Sequence, residues 1–245
     1  SRATFVMHEG VVSGVVDRAL EQGNELYEIT PLPAGGYVVT RMDDTEALAC
    51  GHERVPAVQV TPPVVSKNSR KLGSNRTAPV VREAAGDTQI DIMVVYTPAS
   101  RVRYGKAGIE AKILQAVADA NTGFVNSQIG ATYNLVYMGE VPYVETGDMY
   151  AALGSIAGTT DGVLDDIHAL RDSVGADLVS MIDEDTNYGG ISYAMTYVGT
   201  SFAPYAFSVV GSTALAQLSL SHEMAHNMGC QQDRKSTRLN SSHVA

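Results

Sequence analysis

Ser221-His222-Glu223-Met224-Ala225-His226-Asn227-Met228-Gly229-Cys230 is the stretch from which the rest of the chain is interpreted. Histidines four apart project from one face of a helix, close enough to bind one metal ion. Glu223 sits between them, where it can take a proton from water on the metal, and Gly229 lets the chain turn sharply after the helix. Only 6 of 245 residues are His, so the arrangement is a poor candidate for chance. It reads as a catalytic zinc site. The bland alternative, an amphipathic helix with two surface histidines, leaves both the glutamate and the glycine unexplained.

Catalytic zinc takes three protein ligands and keeps one position for water, whose pKa falls to about 7. His222 and His226 supply two ligands. Glu223 is placed as general base on the water and then as proton donor to the leaving amine. A continuing helix would carry residue 232 to a different face, whereas a turn at Gly229 brings the chain back under the metal. Position 232 is Gln, a poor zinc ligand, and Asp233 comes one residue late.

This segment resembles the metzincin family of zinc endopeptidases, whose motif is H-E-x-x-H-x-x-G-x-x-H, or Asp in the last place. Asn227-Met228-Gly229-Cys230 is most similar to the reprolysin-like branch and its bacterial relatives. The likeness covers about 89–232, which reads as a truncated catalytic domain that need not be active as this fragment, and the region before it is similar to a propeptide. The resemblance implies a secreted zinc endopeptidase, made as a zymogen, that hydrolyses protein or peptide substrates through a zinc-bound water activated by Glu223. It implies a third metal ligand at 232, a methionine turn beyond that position, and a partner for Cys230 further downstream. Met181 and Met195 precede the helix and cannot supply that turn.

Asp233–His243 reads D-R-K-S-T-R-L-N-S-S-H, which resembles a translated sequencing adapter. Residues 233–245 are therefore read as a non-native tail, and the natural residue at 232 is expected to be His. One alternative is a non-catalytic zinc-binding or protein-binding module on the same fold, with Gln232 genuine. Another is a zinc protease with a distant Glu ligand, which Gly229 argues against.

Composition sets the outer limits. Apolar residues make up 44% and charged residues 18%, as in a folded globular chain rather than a disordered one. No apolar run approaches the ~20 residues a membrane span needs. Residues 1–88 carry 9 Lys/Arg and 11 Asp/Glu, whereas 89–232 carry 5 and 15. So acidic a surface repels nucleic acid and anionic lipid. The sequence carries no signal for oligomeric state.

Residues 1–55 alternate apolar and polar positions, as in Tyr37-Val38-Val39-Thr40, and predict a small β-rich unit. Residues 56–88, with Pro56, Pro62, Pro63 and Pro79 and five basic residues, read as a linker. Residues 89–232 alternate strand and helix patterns, giving an α/β (α+β) domain with a twisted mixed sheet and long helices. Strands are expected at 90–96, 133–144, 176–182, 191–198 and 207–210. Helices are expected at about 109–124, at 163–174 and at 213–227, the last carrying the zinc motif.

Gly189–Ala194 resembles the edge strand against which metzincins align an extended peptide, held by backbone hydrogen bonds. Asp183-Glu184-Asp185 is a candidate calcium (Ca2+) loop, with a solvated acidic loop as the favoured reading. Cys50 is read as a structural cysteine without a metal role, in preference to a thiolate that caps the zinc and holds the enzyme latent. His8, His52 and His168 are expected to be structural or exposed.

Overall fold

The computed structural model describes residues 2–20, 23–42, 49–51, 55, 58 and 88–231. His52, Gln232, the tail and nearly all of the expected linker lie outside the described residues. β1 (Arg2–His8), β2 (Val11–Leu20), β3 (Gly23–Pro31) and β4 (Tyr37–Met42) form an antiparallel four-stranded sheet in sequence order. This is the β-rich unit that alternation predicts.

The second sheet has the order β6-β5-β7-β9-β8. It comprises β5 (Thr88–Tyr96), β6 (Ala131–Glu140), β7 (Leu178–Asp183), β8 (Gly190–Ser192) and β9 (Phe207–Gly211). Neighbours run parallel except β8, which is antiparallel to β9. Ile92, Val94 and Tyr96 of β5 share one core with Ile109 and Ile113 of α2 (Lys106–Asn126) and with Leu220 and Met224 of α5 (Ser219–Asn227). Met93 and Val95 face the other core, with Leu153 and Ile156 of α3 (Met149–Ala157) and Ile167 of α4 (Ile167–Val174). A strand covered on both faces needs apolar side chains at every position, which explains its unbroken apolar run.

Boundaries differ from the sequence expectation in places with local causes. A short helix α1 (Pro98–Tyr104) follows β5, capped by Thr97 Oγ1, which accepts the Ser100 N–H at 3.2 Å. The strand expected to reach residue 144 ends at Glu140. The expected strand over 191–198 is paired only over Gly190–Ser192. The expected helix over 213–227 is two elements: a 3-10 helix at Ser212–Gln217, then α5, separated by Leu218 at φ 63°. Ala214, Leu215 and Ala216 are all buried, so this segment wedges into the core instead of presenting one apolar stripe.

α2 lies between the two sheets. The side under β1 and β2 is polar, yet Glu110, Lys112, Gln115 and Asp119 are each no more than 4% exposed. Each charge there is paired: Lys112 Nζ with Glu28, His8 Nε2 with Glu110 at 3.0 Å, and Arg2 with Asp119 at 3.7 Å. Tyr96 also donates its hydroxyl to Glu110 at 2.9 Å. Unpaired charges could not be buried at this depth.

Candidate active site

α5 ends in a turn that shapes the site. Gly229, at φ 96°, lets the Gly229 N–H reach the His226 carbonyl and the Cys230 N–H reach the Ala225 carbonyl. That is a Schellman closure, and its left-handed residue favours glycine. The turn places the Cys230 carbonyl 2.8 Å from His226 Nδ1. A carbonyl only accepts, so Nδ1 carries the proton and Nε2 is left with a lone pair for a metal.

His226 Nε2 lies 3.2 Å from His222 Nε2. Tetrahedral zinc, with Zn–N of about 2.0–2.1 Å, sets two such nitrogens about 3.3 Å apart. The pair therefore fits the ion. His226 is buried and His222 exposed, so the site opens on one side.

Glu223 is 1% exposed. Ser192 of β8 donates its hydroxyl to Glu223 Oε2 at 2.7 Å. Burial pushes the carboxyl up to about 7, while hydrogen bonds with Ser192 and Cys50 pull it back. Gly190 makes room for this arrangement: a Cβ there would stand 2.5 Å from Glu223 Cγ. Gly190→Ala is expected to displace Glu223, lowering peptide hydrolysis at least about tenfold and stability by about 1–3 kcal/mol. Turnover and a denaturant midpoint close to the parent's would contradict this.

The structure places Cys50 beside the histidine pair. Its Sγ lies 3.6 Å from His226 Nε2, and the donor atoms of Cys50, His222 and His226 all fall within 4.8 Å of one another. The thiol reaches this place because Ala49–Gly51 pairs with the outer side of β8. Gly51 donates to the Gly190 carbonyl at 2.9 Å, and Gly189 donates to the Ala49 carbonyl at 3.0 Å. The edge expected to receive a peptide thus holds a segment of this chain. Nothing in the local sequence around Cys50 signalled it, and Ser192 was recognised only as part of the edge strand.

The other candidates lie elsewhere. Glu184 accepts hydrogen bonds from Ser100 at 2.7 Å, Arg103 at 2.7 Å and Ser212 at 2.9 Å. Asp185 accepts from the Asn187 N–H at 2.8 Å. His168 packs on Phe207, with Nε2 3.0 Å from the Ala157 carbonyl.

Asp183 is 2% exposed, and burial, with Glu145 and Asp185 nearby, pushes its carboxyl up to about 8. The unfolded value is about 3.9, so the native state holds a proton that the unfolded state has lost between roughly pH 4 and 8. Stability falls across that window, at a limiting slope of about 1.4 kcal/mol per pH unit. Asp183→Asn is expected to raise Tm by about 5 °C or more at pH 7–8 and to change it little at pH 4. Equal shifts at both pH values would contradict the protonated native carboxyl.

Residues 86–244 match the model of Metallo-peptidase family M12, and the chain belongs to that family. The family implies a zinc cofactor, which the two Nε2 atoms fit. Among characterised proteins the chain is similar to the peptidyl-Asp metalloendopeptidase of Xanthomonas campestris pv. campestris, 26% identical over 94% of this chain and 52% of that protein. It is also 25% identical to the peptidyl-Asp metalloendopeptidase of Stenotrophomonas maltophilia, over 89% of this chain and 49% of that one. The chain thus spans about half the length of these relatives. Among solved structures, metalloproteinase-II from Bacteroides fragilis aligns with a TM-score of 0.49 and 12% identity, covering 90% of this chain and 67% of that one. No helix among the described residues is long and apolar enough to cross a membrane.

Proposed function

We propose that this chain carries prosegment sequence and a truncated part of the catalytic domain of a secreted zinc endopeptidase, held latent by its own Cys50. The observation that carries the activity is the placement of Glu223: buried, gripped by Ser192, and one residue from a histidine pair whose spacing suits zinc. His222 and His226 would hold the ion, with position 232 as the third ligand, Gln here and read as His in the natural protein. Zinc bound there supplies Lewis acidity, acidifying water to about pKa 7 and polarising a carbonyl. Glu223 takes the proton from the attacking water and returns it to the leaving amine. Burial raises this carboxyl above the ordinary carboxylate range, which favours its exchanging a proton near neutral pH. Ser192 fixes one carboxylate oxygen, Oε2. His226 is oriented by the Cys230 carbonyl.

Latency is supported by Cys50, whose Sγ lies 3.6 Å from His226 Nε2, while Ala49–Gly51 fills the β8 edge. The secreted setting rests on the family resemblance. The relatives' names make aspartyl peptides the substrates to test first.

Cys50→Ala is expected to raise chelator-sensitive hydrolysis of such peptides by at least about tenfold. A loss of only 1.4 kcal/mol of blocking interaction gives that change. Cleavage that survives chelation contradicts the zinc reading, and unchanged hydrolysis in the variant contradicts the role of Cys50.

A further inference from the structure

β8 and β9 pair antiparallel at Gly190 with Val210, Ile191 with Val209 and Ser192 with Ser208, and the pairing stops there. In that register the next residues to face each other are Tyr193 and Phe207. The side chain of Asn227, from α5 and 1% exposed, takes the place of their rung. Its Nδ2 donates to the Tyr193 carbonyl at 2.8 Å and to the Phe207 carbonyl at 3.2 Å. A side-chain amide carries two N–H donors on one nitrogen, so a single group serves both strands. The reverse orientation would set its oxygen against two carbonyls.

Past this point the chain leaves β9 and follows α5. The Met195 N–H donates to the His226 carbonyl at 2.9 Å, and one residue before Tyr193 the Ser192 hydroxyl reaches Glu223 at 2.7 Å. Three residues of α5 are thus tied to the β8 segment: Glu223 to Ser192, Asn227 to Tyr193 and His226 to Met195. Of these contacts, the one made by Asn227 also holds β9, and so joins helix, edge strand and sheet.

The Asn227 Oδ1 is buried and accepts no hydrogen bond. An orphaned acceptor carries a desolvation cost that an apolar residue would avoid. The position therefore calls for the two donors and not merely for bulk.

We propose that Asn227 is a positioning residue for peptide hydrolysis. By spanning β8 and β9 it sets the strand bearing Ser192 at a fixed place against the metal helix, which keeps Glu223 aligned with a peptide bound along β8. Asn227 moves no proton and acts through Ser192 and Glu223. The proposal rests on the endopeptidase reading above.

The first test needs no turnover. Amide hydrogen exchange is followed in the full chain loaded with zinc. Asn227→Ala removes both donors, so exchange at Met195 is expected to quicken at least about tenfold, with β5 and β7 within about twofold of the parent. Asn227→Ser keeps one donor in a smaller side chain and is expected to fall between the two, which gives a reading should the Ala variant not fold. An unchanged rate at Met195, or the same rise throughout the sheet, overturns the clamp.

The second test uses peptides and the full-length protein carrying Cys50→Ala. Adding Asn227→Ala is expected to lower kcat about tenfold to a hundredfold, with KM within about twofold and zinc retained. Combining it with Ser192→Ala is expected to cost no more than the worse single change, because both act on one alignment. Parental kcat, or losses that multiply, overturns the positioning role. Quickened exchange at Met195 with no cleavage even before Asn227 is changed overturns the endopeptidase reading, and with it the catalytic half of the proposal.

Discussion

Glu223→Gln is expected to lower peptide hydrolysis by about 10²–10⁴-fold, the usual contribution of a general acid–base, while zinc remains bound. The amide matches the carboxylate in shape and can still accept the Ser192 hydroxyl at the place where Oε2 does so now. It cannot take a proton from water at neutral pH. The histidine pair is untouched, because His226 is oriented by the Cys230 carbonyl and not by Glu223. Loss of turnover with metal retained separates proton transfer from metal binding. Near-parental turnover in the Gln variant would remove Glu223 from its role.

Lys112→Ala is expected to destabilise the chain by about 3–5 kcal/mol, the cost of leaving a buried charge without its partner. The Lys112 side chain is 2% exposed and that of Glu28 is 10% exposed, and the pair joins α2 to β3. The double change Lys112→Met with Glu28→Leu removes both charges, and a near-neutral effect is expected, because apolar replacements of similar volume avoid the desolvation cost. Urea denaturation of the three chains decides between the cases. A single variant as stable as the parent would mean the pair contributes nothing to holding the four-stranded sheet against α2. Such a polar interface suits a helix face that meets water once the sheet is gone, in keeping with the proposed prosegment.

What could be read from the sequence was local. His222, Glu223 and His226 fall within one helical turn and a residue, so spacing alone brings them together. β5, β7 and β9 were recognisable because both of their faces are buried, which leaves continuous apolar runs. Gly229 could be read as a turn because glycine tolerates the left-handed conformation it adopts.

The missed features depend on distant pairing. Cys50 meets His226 across 176 positions, and Ser192 meets Glu223 across 31. Glu110, Lys112, Gln115 and Asp119 have the composition of a solvated helix face, and only the four-stranded sheet over them explains their burial. α3 is short and rich in small residues, so its pattern is weak, although Asp148 was available as a cap signal. The break at Leu218 had no signature, since leucine rarely takes positive φ.

The claim beneath all of this is that His222 and His226 grip a zinc ion. The direct measurement is metal content by mass spectrometry after zinc loading and desalting of the full chain, beside His222→Ala/His226→Ala. Close to one zinc per chain is expected in the parent and in Glu223→Gln, with little in the double-histidine variant. A parent that retains no divalent metal, or a double variant that retains as much as the parent, would contradict the assignment.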